Sequence, residues 1–420
     1  MSFFDSRWVP RPDHVVDSGA AGGLPAGFRA GSAAASIKTP GVLDVGLLVC
    51  DAPDVVSAAR FTRSGVLAAP VIVTRDHARV DALRVVVANS GNANAATGPA
   101  GMDVAFAMQR AAAVSAGVAT DAVAVASTGV IGVPLDADVV AAGIADAASA
   151  LDATGDVAFN EAIMTTDAFP KRASLVVRLP SGEIRLSAQA KGAGMIEPAF
   201  ATMLCFVQTD AALSAETADL LLGVCVKRSF DRISVDGQLS TNDTVILQCS
   251  GASGVRVAPE SEDERAFGIA LDALLRMLAL LIVRDGEGAA RIGRVLVHGG
   301  DPIAVERSAR AVANSPLVKA ALHGADPNWG RIAQAVGMAL GGREPRQAPL
   351  ALDIDIEGIA VCRDGAAVAY DAEALDAAAR AKEIEYEVRI GPAHPEGAET
   401  EVFFSDLSHE YVTINAEYTT

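Results

Sequence analysis

A threonine that follows a small residue, with glycines a few positions upstream, can become its own nucleophile. Thr202 follows Ala201 in KGAGMIEPAFATMLCF at 191–206, a stretch that also sets Lys191 and Glu197 against an apolar run. As an internal residue it has no base beside it, and a threonine at a strand head is otherwise an ordinary β-branched residue. Cutting the Ala201–Thr202 bond would free an α-amine with a pKa of about 7.7–8.0. That amine can deprotonate its own hydroxyl, directly or through water, with no histidine or metal. Gly192, Gly194 and the small Ala201 let the backbone bend so that the hydroxyl meets the preceding carbonyl.

Further polar, glycine-bearing stretches end apolar runs, where loops carry function. ANSGNANAATG at 88–98 follows LRVVV, and ASTGVIG at 126–132 follows VAV. In the second, Thr128 and Gly129 would turn a hydroxyl and a backbone N–H toward a developing oxyanion, although such residues also fill plain turns. SVDGQLSTNDT at 234–244 precedes VILQC, and VRDGEGAAR at 283–291 sets Glu287 between two glycines on an exposed turn. ADPNWGRI at 325–332 reads as a Pro-Asn turn before a helix. The last segment, YVTINAEYTT, ends at Thr420 and reads as β structure tied into a sheet rather than a frayed end.

Other chemistries find little support. Cys50, Cys205, Cys225, Cys249 and Cys362 are scattered, without the spacing of a disulfide framework or a zinc site. His298, closing RVLVHGG, reads as a satisfied core histidine. A formal net charge of −18 disfavours nucleic acid and anionic membranes as partners. LLRMLALLIV at 274–283 falls short of a membrane span, which takes about 18 apolar residues. MSFFDSRWVPRPDH lacks the basic head and apolar block of a signal peptide, so the cytoplasm is the expected location.

The elements that must hold these residues are layered. Hydrophobic residues make up 51% of the 420 and aromatics only 5%, which suits closely packed helices and sheets. GVLDVGLLVC, APVIVT and LRVVVANSGN read as strands. VAFAMQRAAAVSAG and ADVVAAGIADAASALDA read as helices, the first closed by Gly117. ASLVVRLPSGEIRLSAQAKG predicts a hairpin about Pro180-Ser181-Gly182. Helices follow at 212–228 and 259–283, then strands in LALDIDIEGIAV, YEVRIG, TEVFFSDL and EYVTINAEY. Mixed sheets covered by helices are expected.

Read in order, NSGNANAATG, STGVIG, MTTDAFPK, KGAGMIEPAFATML, STNDT, DGEG, DPNWGRI and YVTINAEYTT resemble, almost end to end, the ornithine acetyltransferase (bifunctional glutamate N-acetyltransferase) family of arginine biosynthesis. The resemblance implies an α/β (α+β) sandwich of two mixed sheets with helices on the outer faces. It implies self-cleavage between Ala201 and Thr202 into chains 1–201 and 202–420, intertwined as one catalytic unit, with two of each in a heterotetramer. It further implies Thr202 as nucleophile, Thr128 and Gly129 as oxyanion hole, and substrate contacts from Thr165, Lys191, Thr202, Glu287, Asn415 and Thr420. Lys191 and Glu287 would offer opposite charges, Asn415 and Thr420 neutral hydrogen bonds.

The implied reaction moves acetyl from N2-acetyl-L-ornithine to L-glutamate through an acetyl-threonine, without metal or cofactor. Acetyl-CoA is an open second donor. Ala199-Phe200 stands where the family more often has Asn-Met, Ala96 where Cys is frequent, and ARIGRV follows DGEGA where a Thr-Lys pair is common. These departures leave room for an acyltransferase of secondary metabolism with another acceptor. Two other readings remain: an amidohydrolase or aminopeptidase on a similar self-cleaving scaffold, with water as acceptor, and an uncleaved binding protein.

Overall fold

The computed structural model describes residues 3–19, 23–197, 203–342, 348–391 and 397–417. The first part of the chain forms β1 (Val15–Asp17), β2 (Phe28–Ala33), β3 (Val45–Cys50) and β4 (Val56–Phe61). Then come α1 (Ala69–His77), β5 (Val85–Asn89), α2 (Gly98–Ala116), β6 (Val123–Ser127), α3 (Ala137–Ser149) and α4 (Asp156–Ile163). β7 (Lys171–Leu179) and β8 (Gly182–Lys191) make the expected hairpin. They are followed by β9 (Leu204–Thr209), α5 (Ala215–Arg228), β10 (Ile233–Ser234), β11 (Thr244–Cys249) and α6 (Glu262–Arg284). β12 (Ile292–Gly299) leads to α7 (Pro302–Ala313), α8 (Pro316–His323) and α9 (Trp329–Leu340). The chain continues through β13 (Leu352–Ile356), β14 (Ile359–Arg363), β15 (Ala366–Ala367), α10 (Ala372–Ala378), β16 (Glu383–Ile390), β17 (Ala398–Ser405) and α11 (His409–Glu417).

Among the described residues three mixed sheets form, rather than the two expected. Their orders are β1-β7-β8-β9-β11-β4, β10-β17-β12-β16-β13-β14-β15 and β2-β3-β5-β6. Alternation along β9 explains how two of them stack: Leu204 and Phe206 face the four-stranded sheet, while Cys205 and Val207 face α5 and α6. The strand is buried on both faces, so it carries a continuous apolar run. Helices α1, α2 and α3 cover the outer face of the four-stranded sheet, and α7, α8 and α9 pack on the seven-stranded one.

Four sequence expectations need correction. APVIVT is helical, in α1: Pro70 sits in the first turn, where its missing N–H is not needed. Its β-branched residues pack inward, and the Thr74 hydroxyl donates to the Val125 carbonyl at 2.8 Å. YVTINAEYTT also begins in a helix, α11, with the Ser408 hydroxyl accepting the Tyr411 N–H. Tyr411 and Asn415, four apart on one helical face, both line one cavity, so the pattern has a helical period. His298 is half-buried on β12, with Glu387 and Glu399 each 3.3 Å from a ring nitrogen, rather than in a core. Finally, α6 is long and apolar enough to cross a membrane, but Phe267, Leu271, Leu274, Leu278 and Ile282 are core residues here. By contrast Gly117 caps α2 as expected, in the left-handed region at φ 66°.

Candidate active site

A cavity of about 140 Å3 gathers Thr128, Gly129, Thr165, Lys191, Glu287 and Asn415. Those are all the expected site residues that fall among the described ones; Ala201, Thr202 and Thr420 lie outside them. Larger clefts beside Trp8 and between α5 and α6 contain none of the six.

Lys191 ends β8 and is only 2% exposed. Its ammonium donates to Thr165 Oγ1 at 2.8 Å and to Thr128 Oγ1 at 3.2 Å, with Asp167 Oδ2 at 4.0 Å. Burial drags the Lys191 ammonium below its ordinary pKa, and the Asp167 charge opposes that fall. Burial alone would raise the Asp167 carboxyl; the charges of Lys191 and Lys171 and the Gly192 N–H hold it below the usual carboxylate range. Lys171 is the closer partner, 2.6 Å from Asp167 Oδ1 and 2.5 Å from Asp285 Oδ2. Two buried cations thus stand against two carboxylates, the arrangement that makes such burial tolerable.

Thr128 and Gly129 follow β6. The Thr128 N–H is taken by the Asn89 carbonyl at 3.0 Å, so this residue offers its hydroxyl to the cavity. Because Thr128 Oγ1 already accepts from Lys191, its own proton is available to a ligand. Gly129 has φ 131°, and a Cβ there would stand 2.3 Å from the Gly91 carbonyl carbon, so only glycine fits. The Gly129 N–H has no acceptor among the described residues. One hydroxyl and one free N–H side by side are the kind of donor pair that an oxyanion site requires. Asn89 braces it from below, accepting from Ser127 at 2.6 Å and donating to the Asn92 carbonyl at 2.9 Å.

Glu287 lines the same cavity, half-buried rather than on a freely exposed turn. Its carboxylate accepts from Asn415 Nδ2 at 2.6 Å, and its N–H donates to the Ala193 carbonyl at 3.1 Å. Gly194 makes room for it, since a Cβ there would come within 2.7 Å of the carboxylate.

The backbone is held on both sides of 198–202. Upstream, Asp236 accepts the Met195 and Ile196 N–H groups at 2.6 and 2.8 Å, with Met195 in the left-handed region at φ 58°. Downstream, the Met203 N–H donates to Asp243 Oδ1 at 3.1 Å, and the Met203 carbonyl accepts from Thr244. Sequence reasoning passed over Asp167, Lys171, Asp236, Asp243 and Asp285. Asp167 and Lys171 stood in MTTDAFPK and Asp285 beside Glu287, but the contacts that give them meaning join distant parts of the chain.

The ArgJ family model matches residues 29–420. The arginine biosynthesis bifunctional protein ArgJ of Symbiobacterium thermophilum is 43% identical over 406 residues, which cover 95% of this chain and 99% of that protein. Its counterpart in Geobacter sulfurreducens is 42% identical, covering 94% and 99%. A solved ornithine acetyltransferase from Mycobacterium tuberculosis, complexed with ornithine, is 38% identical over 44% of this chain and 98% of its own, with a TM-score of 0.40. Matched over nearly its whole length by that family model and by these relatives, this chain belongs to the ArgJ family.

Proposed function

We propose that this protein transfers an acetyl group from N2-acetyl-L-ornithine to L-glutamate in arginine biosynthesis, through an acetyl ester on Thr202. Family membership supports the reaction class. The observation that carries the chemistry is the cavity itself. It joins an oxyanion pair, a buried lysine and a carboxylate beside the two anchored ends of the segment that contains Ala201–Thr202.

In this reading the chain first cuts itself before Thr202, giving chains 1–201 and 202–420. The freed amine takes the Thr202 hydroxyl proton as Oγ attacks the acetyl carbonyl. The Gly129 N–H and the Thr128 hydroxyl hold the oxyanion, and Lys191, donating to Thr128 Oγ1, makes that hydroxyl a stronger donor. Ornithine leaves with a proton, glutamate enters, and its amine takes the acetyl group by the reverse steps. Glu287 pairs with the side-chain amine of ornithine, while Asn415 orients the carboxylate. Thr165 and Thr420 complete the substrate contacts. Two copies of each chain form the assembly, in the cytoplasm.

The test is a donor and acceptor screen with purified protein. Labelled acetyl should pass from acetyl-ornithine to glutamate, and acetyl-CoA as donor would extend the reading. Acetate release that ignores glutamate would replace it with a hydrolase. Chain 202–420 should begin with Thr202 on N-terminal sequencing; active protein with an uncut chain would remove the acetyl-threonine mechanism.

A further inference from the structure

Between β2 and β3 the chain coils round Asp44, whose buried carboxylate accepts the Ala35, Ile37 and Lys38 N–H groups at 2.6, 2.7 and 3.0 Å. This turn presents Lys38, a half-buried residue that does not line the cavity. Its ammonium donates to the Met164 carbonyl at 2.9 Å, its one hydrogen-bond acceptor among the described residues. Its stem runs against Gly91: a Cβ there would stand 2.7 Å from Lys38 Cγ, and Gly91 in turn backs Gly129. Burial draws the Lys38 ammonium below its ordinary pKa; the Asp44 and Asp167 charges oppose that fall, and the Lys191 charge adds to it. A cation placed within reach of another buried cation works against stability, and such departures concentrate at functional sites.

Met164 closes α4, and the peptide unit it shares with Thr165 is pinned at both edges. Lys38 holds the carbonyl, while the Thr165 N–H donates to Asp167 Oδ2 at 3.0 Å. That unit is planar, so the two contacts together set its orientation and the place from which the Thr165 side chain departs. We propose that Lys38 is a positioning residue for substrate binding: by holding the Met164 carbonyl, it sets the Thr165 hydroxyl where the substrate meets it. This rests on the Thr165 substrate contact proposed above. Thr165 Oγ1 already accepts from Lys191 at 2.8 Å, so what it offers to the cavity is its proton, suited to a carboxylate or amide oxygen of acetyl-ornithine. A lysine at a helix end can also be no more than a cap for its last carbonyls. The two roles differ in kinetics.

Lys38→Met keeps the stem against Gly91 and removes only the ammonium. In steady-state kinetics its KM for acetyl-ornithine should rise about tenfold, the usual worth of a hydrogen bond, with kcat nearly unchanged. Thr165→Val, which keeps the shape and loses the hydroxyl, should raise KM in the same way. Because Lys38 acts through Thr165, the double variant should be no more than about twofold worse than Thr165→Val alone. Multiplying effects, or a Met variant that loses stability while keeping wild-type KM, would make Lys38 only a cap of α4 and overturn the proposal. A fall in kcat at constant KM would overturn it too. Should the Met variant fail to fold, Lys38→Arg decides, since it keeps a donor for the Met164 carbonyl. Wild-type KM is expected of it, and a KM raised as far as in Thr165→Val overturns the role. A wild type that passes no acetyl to glutamate would sink the assigned reaction and this role together, whereas an active wild type with an unaffected Met variant sinks this role alone.

Discussion

The Thr128 oxygen accepts from Lys191, and in the proposed reaction it also serves the developing oxyanion, which makes its removal informative. Thr128→Ala should lower kcat by about 10²–10³, as loss of one oxyanion donor does. KM should change little, because the donor acts on the transition state. Steady-state kinetics on acetyl-ornithine would check this; a raised KM at normal kcat would make 126–132 a binding loop. Glu287→Gln should reduce kcat/KM for acetyl-ornithine by about tenfold to a hundredfold, since a charged hydrogen bond is worth about 1.5–3 kcal/mol against about 1 for a neutral one. Equal loss in both half-reactions, or blocked maturation, would make Glu287 structural or catalytic instead. At this scale the sequence exposed residues with a local signature: Thr128-Gly129 at a strand end, and Glu287 between glycines. The ion network stayed hidden because Lys171 and Asp285 are 114 positions apart, and no periodicity links them.

Elements were legible where local and tertiary preferences agree. The β7–β8 hairpin and Gly117 at the end of α2 are such cases. The two misread segments, in α1 and α11, have strand-like composition, but each is held by contacts with other parts of the chain that outweigh it. Helix α8 carries a further consequence. Its Lys319 is buried over the Phe404 ring and donates to the Ser405 carbonyl and hydroxyl at the end of β17. Burial drags its pKa to about 7, against the charges of Asp406 and Asp236. The unfolded value is about 10.4, so between these two pH values the unfolded chain binds more protons than the folded one. Stability from this group therefore rises with pH above about 7, and the penalty is complete below it. Wild type should gain on Lys319→Met by up to about 1.4 kcal/mol per pH unit across that window, read as urea midpoints at several pH values. Parallel curves for the two proteins would mean that Lys319 titrates as it does in water.

For the whole molecule, composition gave the layered class, but strand patterns do not say which strands share a sheet. That is why β10 and β12 to β17 had no visible sign of forming a separate sheet with its own core. The same topology determines what self-cleavage would do to the molecule. β9 would belong to chain 202–420, yet it pairs antiparallel with β8 of chain 1–201, from Leu186↔Thr209 to Lys191↔Leu204. On its other side β11 pairs with β4, which returns to chain 1–201. Both faces of this sheet bury side chains from the two halves, among them Leu186 with Val207 and Phe159 with Phe206. Each fully buried side chain of this size contributes roughly 1.5–3 kcal/mol, so apolar contact across the halves far outweighs surface ion pairs at about 0–1 kcal/mol each. The two chains should therefore co-elute on size exclusion even in 1 M salt, where the Debye length is only about 3 Å, and part only in denaturant. Mature protein and uncut Thr202→Ala should each unfold in one transition, since neither half has a complete central sheet without the other. Separation by salt alone would mean that charge, not the shared sheet, holds the halves together.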